Sequence, residues 1–535
     1  MAHSSLTPFE AFGRRVSRLG IVVVAAGVGV LATVAGAHAQ AGRPEAVSTT
    51  SVTTALTLKE FVAQLRKENQ SIASKRTAQE IAATGIPRAR AAYDTVATVA
   101  ATRSLSRQKS TYEEAVGRGQ DTEEVPVYSR DGNDFTVGVS QLLPTGATIE
   151  AKTSLSQFIS SVDQYNAATD PEDTRPPGAR NNRGTVGLSL TQPLLKDFGP
   201  SVTNARIRVA EIESKGALAS SLEVESNVVV EGILGYLDLI VAQQRVTAAR
   251  ERIRNGERLL SEAQALARQG RLAEADVWEV ESALDRYRSA YSESEHARYE
   301  RANKLATMVM RVNKEPAAQL RAMESLPATF SSIPSLESAL QVAMDRREDL
   351  RRAKFDLERE GIQLAYAKNQ RLPRLDLVAT YGINGLEYSA SRAMGYSRME
   401  DYPNWTLGLQ LTFPLENRQA KADFAAASLR QKDALLALKA LEVGITNDVD
   451  TSLKLRQSAL ERWGWWQASA AREARHVTVE REKFRAGRSD IREVLLREER
   501  LINAQLAAIE QQASVVKAEA LLQASQGVLL EQYGQ

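Results

Sequence analysis

Cysteine is absent from the 535 residues, and only four histidines occur, His3, His38, His296 and His476. No disulfide framework, thiolate zinc site or cysteine nucleophile can therefore be built. His3 and His38 fall in an expected leader, so a histidine-rich metal cluster is excluded as well. Charge of one sign is also missing. The 68 Lys+Arg stand against 66 Asp+Glu, a net of +2. Without Glu10, Arg14, Arg15 and Arg18 of the leader, the two signs balance. Nucleic acid is not expected as a partner, because its binding rests on excess positive charge.

Long apolar runs are scarce too. Arg14, Arg15 and Arg18 precede an apolar stretch from Ile21 to Val34, and Ala37-His38-Ala39 follows as a small-x-small pattern. That is the layout of a secretory signal peptide, expected over 1–39, with a membrane anchor as its alternative. Nothing after it approaches the roughly 18 apolar residues of a membrane helix. An exported chain can still enter a membrane as a β-barrel.

Proline is missing from Ser201 to Glu315 and from Leu415 to Gln535, two tracts rich in Ala, Leu, Glu and Arg. A continuous helix from Ser201 to Gln269 would be roughly 100 Å long. Each tract is interrupted once, at Arg268-Gln269-Gly270-Arg271 and Arg485-Ala486-Gly487-Arg488, where a glycine permits a reversal. The correspondence persists beyond these tips, pairing Val277 with Val494, Glu281 with Glu498, Leu284 with Leu501 and Ala290 with Ala507. Ahead of the tracts, Gly187 to Leu194 resembles Gly408 to Leu415, each closing on a proline, Pro193 or Pro414. The helical pattern from Leu58 resembles that from Leu336. The chain is read as a duplicated unit of helix, strands, long helix, reversal and long helix. Val494, Leu501, Ala508, Val515, Leu522 and Leu529 recur every heptad, which demands a supercoiled partner surface.

Trp405, Leu407, Leu409, Leu411 and Phe413 alternate with Thr406, Gly408, Gln410 and Thr412, and 186–191 and 375–383 alternate likewise. Such segments suit a membrane barrel, or a soluble sheet on a core. Polar stretches at 108–133 and 160–183 read as long external loops. Tyr381, Tyr388, Tyr402 and Trp405 are placed for an interfacial girdle. Arg462-Trp463-Gly464-Trp465-Trp466 reads as helix packing, and His296 and His476 as surface residues. No phosphate loop or nucleophile elbow occurs, so an enzyme is not expected.

In order and duplicated, these motifs resemble the outer-membrane efflux protein family, typified by TolC, over roughly Leu56 to Tyr533. Tyr236-Leu237-Asp238-Leu239 and Asn417-Arg418 also match the family. The fold class implied is an α+β membrane protein. In it an outer-membrane β-barrel is continued by a long α-helical coiled-coil periplasmic barrel, with two repeats per subunit and three subunits. The first repeat covers 40–326, with strands near 96–108, 134–143, 147–158 and 184–194 and a helical hairpin at 201–312. The second covers 327–535, with a helix at 335–371, strands near 374–385 and 403–414, and a hairpin at 417–532. If 134–158 enters the barrel, each subunit supplies six strands rather than four and a trimer eighteen rather than twelve. The alternative is an external hairpin.

The resemblance implies an exit duct of a tripartite efflux or type I secretion system. Its partners would be a periplasmic adaptor, an inner-membrane transporter and outer-membrane lipid, and it needs no cofactor. Absence of cysteine separates the chain from the lipid-anchored members. The adaptor would meet the tips at Gly270, Arg271, Leu272, Gly487 and Arg488. Asp276 matches an aspartate that restrains the closed gate. Phe484 and Ser489 stand where the family has a tyrosine and an arginine, with Arg488 one residue away as a substitute. Glu493 matches one acidic ring of the constriction, and Leu496 replaces the second. A periplasmic coiled-coil scaffold without a channel is the rival reading.

Overall fold

The computed structural model of the protein describes residues 55–109, 111–116, 127–161, 179–309, 320–397 and 403–533. The signal peptide expected over 1–39, Tyr402 and much of the two polar loops lie outside them.

Thr57 begins the helical part with a capping box. Its hydroxyl accepts from the Glu60 N–H, and Glu60 accepts from the Thr57 N–H. Helix α1 (Leu58–Glu68) ends at Asn69, whose side chain then caps α2 (Gln70–Arg90). Two short strands, β1 (Ala55–Leu56) and β6 (Arg321–Ala322), pair in parallel and bring the segment ahead of α1 beside the one that follows the first long hairpin.

Between them run β2 (Val96–Lys109), helix α3 (Tyr112–Val116), β3 (Val127–Leu142), β4 (Thr148–Ser160) and β5 (Asn181–Pro193). Helix α4 (Pro200–Thr203) leads into α5 (Ala205–Arg268), of 64 residues, and α6 (Glu274–Met308). After β6 come α7 (Leu336–Arg346), α8 (Glu348–Gln370), β7 (Arg374–Glu387), α9 (Ala390–Tyr396) and β8 (Pro403–Thr412). Then follow α10 (Arg418–Arg485), of 68 residues, α11 (Ile491–Ser525) and α12 (Leu529–Tyr533). No helix of the described residues is long and apolar enough to cross a membrane.

The expected helix at 335–371 is broken at Arg347. That residue is extended, and its guanidinium reaches Asp349 at 2.7 Å, Asp448 at 3.3 Å and the Ser525 carbonyl at 3.3 Å. Burial alone would raise the Asp349 pKa, but the Arg347 guanidinium holds it below the usual carboxylate range. The expected hairpin at 417–532 also stops early. Gly527 (φ +75°) leaves the helix and lies against Arg346 and Arg347, where a Cβ would come within 2.9 Å of backbone.

The strands form one antiparallel sheet in the order β2-β3-β4-β5-β7-β8. The hairpin at 134–158 is therefore part of the sheet, not an external excursion. β3 starts earlier than expected, because Val127–Asn133 pairs with Arg103–Lys109. Ladder hydrogen bonds need only backbone, so polar side chains do not end a strand. The register aligns Ala97, Val139, Ala151, Leu188, Tyr381 and Trp405 in one row. The next row on the opposite face holds Thr98, Gly138, Lys152, Gly187, Gly382 and Asn404. The apolar face is bare in the subunit: Trp405, Leu407, Leu409 and Leu411 are 70%, 64%, 66% and 64% exposed. Both edge strands, β2 and β8, keep one unpaired side.

Strand-to-helix junctions meet at one place. Asn369 accepts from the Asp197 N–H at 2.8 Å, Gln370 donates to Asp197 at 2.6 Å, and Asn417 donates to the Arg371 carbonyl at 3.0 Å. The β3–β4 turn joins them, with Thr203 donating to the Pro144 carbonyl at 2.6 Å. The turn thus lies at the helical end of the sheet. Pro193 ends β5, and Pro414 follows β8.

The main helical core holds Phe61, Leu65, Val229, Ile233, Tyr236 and Leu305. The Tyr236 hydroxyl donates to the Leu56 carbonyl at 2.7 Å, and burial pushes its pKa up to about 12. Val494, Val515, Leu522 and Leu529 of the heptad column are buried. Trp463 packs edge-on against Phe330 at 5.1 Å, whereas Trp465 and Trp466 are exposed, as are His296 and His476.

Candidate gate at the helical hairpin tips

Both long hairpins reverse by the same device. Gly270 (φ +71°) donates to the Ala267 carbonyl and Arg271 to that of Leu266, each at 2.9 Å. Gly487 (φ +70°) donates to the Phe484 carbonyl at 2.9 Å and Arg488 to that of Lys483 at 2.8 Å. Each is a Schellman closure, which needs a left-handed residue and so favours glycine. Leu272 adds an apolar contact to the tip core. Nothing lies within 4 Å of a Cβ built at Gly270 or Gly487, and Arg271 and Arg488 are exposed. These residues form a free surface on the subunit.

Behind the tips, one apolar cluster joins the two hairpins. Leu259, Ala263, Val280 and Tyr287 of the first meet Phe484, Ile491, Val494 and Leu495 of the second. Phe484, expected in the closing network, is thus a buried core residue. Losing a tyrosine hydroxyl suits this position, since a buried hydroxyl needs a partner. Arg485 reaches Glu262 across the hairpins at 3.1 Å, and Arg252 stacks on the Tyr287 ring at 4.1 Å. Burial raises the Tyr287 pKa against the opposing Arg252 charge. The buried Glu498 takes two hydrogen bonds from Arg481, at 2.9 and 2.5 Å.

Arg488 is exposed at the turn, and the neighbouring Ser489 is the one that finds a partner. Ser489 donates its hydroxyl to Glu480, spanning the turn, and Lys483 pairs with the same carboxylate at 3.2 Å. The Ser489 hydrogen bond comes first in holding the Glu480 pKa below its ordinary value. A depressed pKa contributes stability above the unfolded value and loses it as pH falls through the folded one. Ser489→Ala should therefore shift acid loosening of this tip to higher pH. Because the chain lacks cysteine, spin labels on Arg271→Cys and Arg488→Cys would read the tip-to-tip distance through an acid titration. An unchanged midpoint would mean that Ser489 does not hold this tip.

Glu493 lies in the first turn of α11. Its carboxylate is already paired, with Arg497 Nε at 2.8 Å. Asp276 sits half-buried in the first turn of α6. Sequence reasoning missed Arg497, although Glu-to-Arg at i,i+4 is a readable signal. It also missed the Glu480–Ser489 and Arg485–Glu262 contacts, which only the turn and the packing create. No group of three or more metal-ligating side chains exists among the described residues.

Residues 339–528 match the family model "Outer membrane efflux protein". None of the curated proteins compared with the chain matches it by sequence. Among solved structures, the outer-membrane channel OprN superposes with a TM-score of 0.61 at 15% identity, over 88% of this chain and 89% of its own. The outer membrane protein VceC of Vibrio cholerae gives 0.59 at 14%, over 88% and 96%. The Campylobacter jejuni CmeC outer membrane channel gives 0.60 at 14%, over 88% and 86%. Residues 339–528 thus match the outer membrane efflux protein model, and the chain shares its fold with solved outer-membrane channels.

Proposed function

We propose that the protein is a passive outer-membrane exit duct, gated at its helix tips, that conducts substrate delivered by an inner-membrane pump and a periplasmic adaptor. One observation carries the reading. A six-stranded antiparallel sheet with a bare apolar face and two open edges is continuous with helices of 64 and 68 residues. Lipid is the solvent that makes such a face favourable, and closure removes such edges. An even number of strands lets β8 of one copy meet β2 of the next antiparallel, as every other pair is. Three copies would close eighteen strands, in the range of wide aqueous barrels. The helices carry the same demand, since Leu429, Leu436 and Val443 leave a heptad-spaced apolar stripe exposed on α10. A neighbouring copy is its natural cover. We place the strands in the outer membrane, the helices in the periplasm and the adaptor on the tips.

Pairing of Glu493 with Arg497 changes the expected selectivity. A ring of neutralised carboxylates gives little cation preference. Glu493→Gln should then leave the Arg497 guanidinium uncompensated and lower the cation-to-anion permeability ratio, whereas Arg497→Gln frees the carboxylate and should raise it severalfold. Reversal potentials in planar bilayers measure both. An equal response to the two changes would mean that Arg497 does not neutralise the ring. The same bilayers test the whole reading. A pure assembly that never conducts, even with Arg485→Ala and Ser489→Ala loosening its tips, is a scaffold and not a duct.

A further inference from the structure

Four helices lie side by side below the sheet in the order α2, α5, α8 and α10, each packed on the next. A cleft of about 670 Å³ opens among their sheet-proximal ends and is lined by residues of all four. A cavity that touches both the first and the last helix of such a row lies on its concave side. Its volume is that of a site for a small organic molecule.

The lining is unusual in its charges. Arg88 of α2, Arg206 of α5 and Arg430 of α10 all face the cleft, with Glu213 and Asp423. Among the described residues, none of these five side chains makes an ion pair or hydrogen bond. Elsewhere most arginines on these helices are paired, as in Arg359 with Asp356 at 2.8 Å or Arg352 with Glu223 at 2.7 Å. Three unpaired guanidiniums against two carboxylates leave the cleft net positive. The rest of the lining is Tyr366, Val209, Ile362, several alanines, Gly85 and the amides of Gln363 and Gln370. It offers an aromatic and apolar surface beside the cations.

We infer that this cleft is a binding site for amphiphilic organic anions. Guanidinium forks would hold a carboxylate, sulfonate or phosphate, and Tyr366 and the small residues would hold the body. A fork delivers two parallel hydrogen bonds to such a group, which a carboxylate-lined wall would repel. The inference deepens the duct reading and rests on it for the position of the cleft. If copies close a ring, the concave side is the lumen, and the site forms a cationic collar where the tunnel joins the barrel. Cargo that is anionic and amphiphilic would pause there on its way out.

The test uses the detergent-solubilised full assembly and the dianion fluorescein, read by anisotropy, with the cation rhodamine 123 as control. Fluorescein should bind saturably and rhodamine 123 should not. The double variant Arg206→Gln with Arg430→Gln should weaken fluorescein at least tenfold, and the lysine pair should restore part of it. Both arginines are exposed, so folding is not at stake. Ala426→Phe, which fills the cleft without removing charge, should also abolish binding. Equal affinity for the cation, or unchanged affinity in the double variant, overturns the site. Bilayer recordings on the same preparations separate the two readings. Conduction with binding insensitive to the arginines keeps the duct and loses the site, whereas arginine-dependent binding without conduction keeps the site and loses the duct.

Discussion

Leu409→Arg should abolish assembly into the outer membrane. Leu409 lies near the middle of β8, pairs with Leu377 and is two-thirds exposed in the subunit. On a water-facing sheet, a substitution at such a position changes stability by about 0.5 kcal/mol or less. On the lipid face of a barrel, an arginine near the midplane costs roughly 2–4 kcal/mol. In a three-fold assembly the charge enters three times, so the cost is roughly 6–12 kcal/mol. That range is comparable to the whole stability of a domain. Gln410→Arg, one residue along and on the opposite face, should be tolerated. Heat-modifiable assembled protein in the outer-membrane fraction reads both. A Leu409→Arg protein that assembles like the parent would place this face in water.

Arg456→Ala should be the most damaging single change in the helical part. Arg456 is 1% exposed, and its guanidinium donates to the Ser331 carbonyl and hydroxyl, each at 2.9 Å, and to the Ser332 carbonyl at 3.2 Å. It also pairs with Glu519 on α11. One side chain thus ties α10, α11 and the segment ahead of α7. Removing one partner of a buried ion pair costs about 3–5 kcal/mol. Glu519 keeps some access to water, so the lower end applies. Arg456→Met fills the space without the donors and should fall between parent and alanine. Thermal unfolding gives the loss, and faster proteolysis between Pro327 and Ser335 should accompany it, because Phe330 rests on Trp463 beside the same anchor. A loss below about 1 kcal/mol would mean that the segment ahead of α7 is held elsewhere.

Much of the architecture was legible because its signals are local. Alternation at Trp405 to Phe413 marks a strand wherever it ends up, and a lone glycine in a long proline-free tract marks a reversal. Even the identical Schellman closures at Gly270 and Gly487 follow from the duplicated tip sequences. Strand limits were less legible. Val127–Asn133 is polar and reads as loop, but pairing with Arg103–Lys109 makes it strand. The break at Arg347 was hidden too, since its partners Asp448 and Ser525 lie far along the chain.

The candidate gate divides in the same way. The chain's residue order dictates where the tips fall, that a seven-residue apolar repeat must find a partner, and that no thiol is present. These depend on spacing and composition, which no fold can alter. Which tip residues are available depends on three-dimensional neighbours instead. Packing takes Phe484 into the core, gives Ser489 to Glu480 and pairs Arg485 with Glu262. It also gathers Arg88, Arg206 and Arg430 from three distant segments into one cleft. Side chains separated by hundreds of residues acquire a shared electrostatic environment only when helices lie side by side, because charge interactions fall off with distance in space, not along the sequence.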